Sequence, residues 1–205
     1  MPPELVLASA SPRRKQMLKT LGLPFSVHPS SVTEEVPGDP TPGELVEILA
    51  AKKALAVAHT KKQALVIGSD TVVALGDEIL GKPADETEAC QTLERLQGQS
   101  HQVYTGIALV EVTGGKVNRR LINHRVTEVM VRNMSREEIE WYVSTGEPMD
   151  KAGAYGLQGT GSLWVDWIDG CYTNVVGMSL PLLYDMMNEM GYPVLKPSFS
   201  PENKA

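Results

Sequence analysis

Little in this sequence would build a disulfide framework or a cysteine metal knuckle. It holds two cysteines, Cys90 and Cys171, in plain surroundings and without paired spacing. No second histidine stands at ligand spacing from His28, which reads as a strand residue. No apolar run approaches the roughly 20 residues of a membrane span. The start, Met1-Pro2-Pro3-Glu4-Leu5, lacks the basic cluster and apolar core of a secretory signal, so the expected location is cytoplasmic. Excess positive charge is missing too. The formal net charge of −6 argues against general binding to nucleic acid or anionic membranes, yet leaves room for a locally basic pocket. Internal repeats and linkers are absent, so one domain is expected over residues 1–195, with a disordered tail at 196–205.

What is present is ordinary globular material. Hydrophobic residues make up 42% and charged residues 21% of 205, enough for a real core. The stretch Leu65-Val66-Ile67-Gly68-Ser69-Asp70-Thr71-Val72-Val73-Ala74-Leu75 is apolar and β-branched around a small polar island. Such a run predicts a strand buried on both faces, in the middle of a sheet. A carboxylate inside it requires a partner charge, a metal or a hydrogen-bond network. Gly68 suits a bulge or the close approach of a ligand. A turn at Gly76-Asp77 then brings Gly81-Lys82-Pro83 back toward Asp70. Taken alone, this hairpin is equally compatible with a turn-capping Asp70 and a solvated Lys82.

Other segments bear on that choice. After the strand Leu5-Val6-Leu7-Ala8, Ser11 and Pro12 open a helix with Met17, Leu18 and Leu21 inward, ended by Gly22. Its free N–H groups, with Ser9, Ser11, Arg13 and Arg14 beside them, predict an anion site suited to phosphate. Phe25–His28 reads as a strand. In the polar loop that follows, Glu34 is a candidate ligand for a hard cation such as Mg²⁺. Thr41-Pro42-Gly43-Glu44 caps a helix on which Lys52 and Lys53 point about 100° apart, so only one of them borders the apolar stripe. Asp85–Glu88 and Ser135–Glu138 cap two more helices, and Cys90 fills core on the first. Val103–Val112 and Val117–Val131 are long strands joined at Gly114-Gly115, with Tyr104-Thr105-Gly106 a second place for ligand approach. His101 and His124 sit in polar company. The glycine-rich Asp150–Gly161 does not have the spacing of a dinucleotide fingerprint; with Lys151 and Gln158 it is able to hold a planar base. Ser162–Ile168 and Cys171–Val176 are expected to pair as a hairpin about Asp169-Gly170. An amphipathic helix over Ser179–Met190 closes the fold.

Together, Ser9-Ala10-Ser11-Pro12-Arg13-Arg14, Lys53-Ala54, Gly68–Val73, Gly81-Lys82-Pro83, Tyr104-Thr105-Gly106 and Asp150–Gly159 resemble the Maf family of nucleotide pyrophosphatases, in the family's order, from about Leu5 to Tyr192. The resemblance implies an α/β fold related to the inosine triphosphate pyrophosphatases: an elongated mixed β-sheet with flanking helices and two lobes around a cleft. It implies metal-dependent cleavage of a nucleoside triphosphate to monophosphate and pyrophosphate, and a homodimer. Thr71 and Gln158 resemble the branch acting on dTTP and UTP rather than the one acting on 7-methyl-GTP. By position, Asp70 is the proton acceptor, and Arg13, Thr71 and Gln158 govern substrate choice. The residues are consistent with that reading. Ser9, Arg13, Lys53 and Lys82 share the phosphate charge, Glu34 and Asp70 hold Mg²⁺ or Mn²⁺, and Gln158 meets the imide edge of a pyrimidine. Whether Asp70 is base, metal ligand or both stays open at this level. A reading of another class is a nucleotide-binding regulator of septum formation with little turnover.

Overall fold

The computed structural model describes residues 3–195; the tail expected from Lys196 lies outside the described residues. Its frame is one mixed sheet. Strand β1 (Glu4–Leu7) pairs in parallel with β2 (Ser26–Val27) on one side and with β3 (Gln63–Leu75) on the other. The β3 strand is the central one that its apolar run predicts, with Leu65 and Ile67 in one core layer and Ala64 and Val66 in another. From Gly76-Asp77 the chain turns back as β4 (Glu78–Leu80), antiparallel to the end of β3. The opposite edge of β3 carries β5 (Ser100–Thr113), then β6 (Lys116–Val131) and β7 (Val165–Asp169), all antiparallel. Gly114 and Gly115 turn β5 into β6 with φ of 61° and 77°, a region that side-chain-bearing residues seldom occupy.

This pairing leaves a gap. Opposite β5, β1 ends its ladder at Leu7 against Ile67, and β4 begins at Leu80 against Val73. Between them the edge of β3 from Gly68 to Val72 has no strand partner among the described residues, and the polar island of the sequence falls in that interval.

Helices cover the sheet unequally. Helix α1 (Pro12–Lys19) is capped by Ser11, whose Oγ accepts from the Arg14 N–H, and buries Met17 and Leu18. Helix α2 (Pro42–Ala58) has the expected capping box between Thr41 and Glu44. It lies directly on the opposite face. A Cβ on Gly68 would fall 2.2 Å from the Ala50 carbonyl oxygen, and one on Gly106 2.3 Å from that of Val46. The two glycines expected to admit a ligand therefore admit the backbone of α2 instead.

Helices α3 (Glu86–Leu96) and α4 (Arg136–Ser144), with the Asp85 cap and the Ser135–Glu138 capping box, enclose a separate core around the far end of β3. Val73, Leu93, Val103, Ile139 and Tyr142 belong to it. The sheet thus carries one lobe at each end of β3, with the gap between them. Cys90 packs against this second core, as expected.

Two expectations are corrected here. Cys171–Val176 is not the second arm of a hairpin. Tyr172–Val176 forms a short helix, α5, despite its β-branched Thr173, Val175 and Val176. The reason is tertiary: the buried Asn174 amide donates to the Val103 carbonyl and Thr127 Oγ1, tying the turn to β5 and β6. His101 is not in polar company either. It is 3% exposed and shares a hydrogen bond with the Tyr155 hydroxyl. The closing helix α6 (Leu180–Glu189), capped by Ser179, buries Leu183, Met186 and Met187 against the layer that holds α1.

Candidate active site

A cleft of about 1010 Å³ opens over the unpaired edge of β3. Ser9, Arg13, Glu34, Lys53, Asp70, Thr71, Lys82 and Gln158, the residues singled out in the sequence, all line it. They arrive from five parts of the chain: the β1–α1 turn with the start of α1, the loop before α2, α2 itself, the β3–β4 hairpin and its extension, and the segment after α4.

Strand periodicity sorts the polar island. Side chains two apart share a face, so Asp70 points the same way as Gly68, toward α2. Because Gly68 lets α2 lie against the strand, Lys53 reaches Asp70. Its Nζ is 2.5 Å from Asp70 Oδ1 and 2.7 Å from Glu34 Oε1. The lysine choice left open by helix geometry is thereby settled, since Lys52 instead donates to the Glu35 carbonyl. Hydrogen bonding from Lys53, offset by partial burial and helped by the charges of Lys82 and Arg14, holds the Glu34 carboxyl below the usual carboxylate range.

Ser69 and Thr71 point to the other face, where Ser69 donates to the Gly177 carbonyl. There Arg14 is fixed by three contacts: Nε to the Gly177 carbonyl at 2.8 Å, one terminal nitrogen to Thr71 Oγ1 at 3.1 Å and the other to Ser9 Oγ at 3.4 Å. Burial draws the Arg14 pKa below its ordinary value, against the pull of Asp70. The sequence set Arg13 and Arg14 alike beside the anion site, and the resemblance singled out Arg13; the half-buried, pre-oriented guanidinium beside Ser9 belongs to Arg14. The signal was the adjacent pair itself, because neighbours on a helix face different ways. Arg13 instead crosses the cleft mouth to Asp150 Oδ2 at 3.0 Å.

Lys82 is exposed on the cleft rim. The Gly81 carbonyl beside it accepts from Gly153 N–H at 3.0 Å, which ties the β4 extension to the glycine-rich segment. That segment is a chain of tight turns, Glu147–Asp150, Ala152–Ala154 and Thr160–Trp164, with Gln158 exposed between the last two. Lys151, one of the two base-holding candidates, is committed to Asp150 Oδ1 and the Glu147 carbonyl, which leaves Gln158 as the amide facing the cleft.

The donor set suits a divalent cation that arrives with a polyphosphate. No group of three or more His, Cys, Asp or Glu residues gathers among the described residues. Mg²⁺ commonly needs only one or two protein carboxylates when phosphates supply the rest. Glu34 and Asp70 already converge on one positive centre, the Lys53 ammonium. A cation there would be held by these two and would neutralise phosphate charge.

Against known proteins, the family model described as Maf-like protein matches residues 4–190. A dTTP/UTP pyrophosphatase of Pelotomaculum thermopropionicum is 50% identical over 192 residues, which is 94% of this chain and 99% of that one. One of the same name from Desulforamulus reducens is 48% identical over 191 residues, covering 93% and 98%. A nucleoside triphosphate pyrophosphatase of a Synechococcus species is 48% identical over 193 residues, covering 94% and 96%. Among solved structures, a HAM1 protein from Coxiella burnetii aligns at 18% identity and a TM-score of 0.49, over 91% of this chain and 98% of that one.

Proposed function

The chain belongs to the Maf family, and on that premise we propose that it hydrolyses dTTP and UTP to the nucleoside monophosphate and pyrophosphate. The observation that carries the reading is the meeting of Asp70, Glu34 and Lys53 with the cations of Arg13, Arg14 and Lys82 in one cleft. A protein that only binds nucleotide has little use for a carboxylate pair beside a phosphate site.

In this reading the triphosphate lies along the unpaired edge of β3. Ser9, Arg13, Arg14 and Lys82 take its phosphate oxygens, the arginines able to make paired contacts. Asp70 accepts a proton from the water that attacks the α-phosphorus. The bond to the bridging oxygen breaks and pyrophosphate departs with the electron pair. Charge on the phosphates is balanced by groups already in position, which is where a hydrolase of this kind gains most of its rate. Glu34 and Asp70 would hold Mg²⁺ or Mn²⁺, which would add to that neutralisation. Lys53 orients the Asp70 carboxylate and compensates its charge. Thr71 fixes Arg14, and Gln158, as donor and acceptor at once, reads the imide edge of thymine or uracil. A homodimer and a cytoplasmic setting go with the family reading. So does a single domain over residues 1–195. Among the described residues, no helix is long and apolar enough to cross a membrane.

The test is incubation with dTTP, UTP, CTP, dATP, GTP and 7-methyl-GTP in Mg²⁺ or Mn²⁺, with products separated by anion exchange. Monophosphate and pyrophosphate formed fastest from dTTP and UTP are expected. Preference for 7-methyl-GTP overturns the base assignment, and binding without any product overturns the enzyme.

A further inference from the structure

The segment that carries Gln158 is pinned at both ends by one pair of side chains, Tyr142 and Glu147. The Glu147 carboxylate accepts from the backbone N–H of Thr160 and of Gly161, each at 3.0 Å, and from the Tyr142 hydroxyl, also at 3.0 Å. The same hydroxyl accepts from the Gly156 N–H at 3.3 Å. Gly156 and Gly161 therefore close on each other across Tyr142, and Gln158 lies mid-span.

The packing is tight enough to fix that shape. A Cβ on Gly161 would lie 2.4 Å from the Tyr142 hydroxyl oxygen and 2.5 Å from the Gly156 carbonyl oxygen. One on Gly159 would lie 2.9 Å from a Glu147 carboxylate oxygen, at a φ of 97°. One on Gly156 would meet the Lys151 stem at 2.6 Å. Lys151 in turn donates to the Glu147 carbonyl, so the anchor holds the segment from below as well. Tyr142 is fully buried, at the centre of the second lobe's core. Partial burial raises the Glu147 carboxyl, but the backbone donors of Gly161 and Thr160, the Tyr142 hydroxyl and the Lys151 charge together hold it below its ordinary value. Nothing in the proposed chemistry uses Glu147; its carboxylate is spent on backbone donors.

We propose that Glu147 is a positioning residue for base selection: it holds the Gly156–Gly161 turn in the shape that aims Gln158 into the cleft. This rests on Gln158 reading the base, as proposed above, and concerns the specificity of that site rather than its hydrolytic step. A carboxylate accepts from two adjacent N–H groups and a hydroxyl at once. A carboxamide cannot, because one of its two ends is a donor. Losing charged hydrogen bonds at this point frees the turn without touching the phosphate groups.

The experiment is Glu147→Gln, assayed with dTTP, UTP, CTP and GTP for KM and kcat separately, with circular dichroism and thermal unfolding on the same samples. A folded variant is expected to show KM for its preferred nucleotide raised roughly tenfold, a flattened ranking of bases and kcat within about twofold. Unchanged KM and ranking in a folded variant overturns the proposal, as does a fall in kcat with KM unchanged. If Glu147→Gln fails to fold, Tyr142→Phe removes the shared hydroxyl while keeping the ring in the core, and the same two outcomes decide. The unaltered protein run alongside separates the two readings. If it favours a purine nucleotide, the dTTP/UTP assignment falls, while Glu147 is still judged by whether its variant flattens whatever ranking is found.

Discussion

Lys53 and Asp70 are joined at 2.5 Å across 17 residues of sequence, with side chains only 12% and 10% exposed. The pair exists because two glycines let α2 lie on the backbone of β3 and β5. It places the carboxylate at the unpaired edge of the central strand with its charge compensated, which is the condition that a buried Asp imposes.

Asp70→Asn should lower turnover by at least roughly a hundredfold, the effect of removing a positioned proton acceptor. Nucleotide binding should persist, since Ser9, Arg13, Arg14 and Lys82 are untouched. Single-turnover assays with calorimetric binding check both halves. Turnover close to that of the unaltered protein would remove Asp70 from its assigned role.

Gly68→Ala should cost about 1–3 kcal/mol through overpacking, because the added Cβ meets the Ala50 carbonyl at 2.2 Å. Activity should fall further than stability accounts for, as displacement of α2 carries Lys53 away from Asp70. Gly81→Ala is the stability control: a Cβ there meets nothing within 4 Å. Equal urea midpoints for the two variants would contradict the contact.

Gln158→Ala and Glu34→Ala should separate base recognition from metal use. The first should change the order of preferred nucleotides, by on the order of tenfold or more in kcat/KM, at an unaltered metal requirement. The second should raise the Mg²⁺ or Mn²⁺ concentration needed for half-activation and leave the base order alone. Metal titrations with two nucleotides, run on both variants, test the division; a variant that moves both quantities equally breaks it.

His101 makes stability fall as acidity rises. Burial lowers its pKa from 6.5 to about 4, so between those values the unfolded chain binds a proton that the folded one refuses. The contribution is fully present above pH 6.5 and is lost as pH falls toward about 4, at up to about 1.4 kcal/mol per pH unit. Urea unfolding at pH 7 and pH 5 should show a smaller loss for His101→Gln than for the unaltered protein. Identical losses would mean that His101 is protonated or solvated in the folded state.

Sequence alone determined what short-range rules control. Apolar alternation and β-branching located β3, β5 and β6. Side-chain oxygens at Ser11, Thr41, Asp85 and Ser135 marked helix starts, and Gly114-Gly115 marked the turn between the long strands. The motifs also named side chains that the fold brings to one cleft, because the chemistry of phosphate and base limits which residue types serve. The tertiary structure decided which partners these residues take. It chose Lys53 over Lys52 for Asp70, seated Arg14 rather than Arg13 against Thr71 and Ser9, and sent Arg13 to Asp150. It turned Tyr172–Val176 into a helix through Asn174, filled the space beside Gly68 and Gly106 with α2 rather than ligand, and fastened the Gln158 turn to Glu147. A residue's propensity acts over one or two turns of chain, whereas each of these choices depends on two sheet edges or a helix and a strand meeting at a given distance. That distance is fixed only when the whole core has packed.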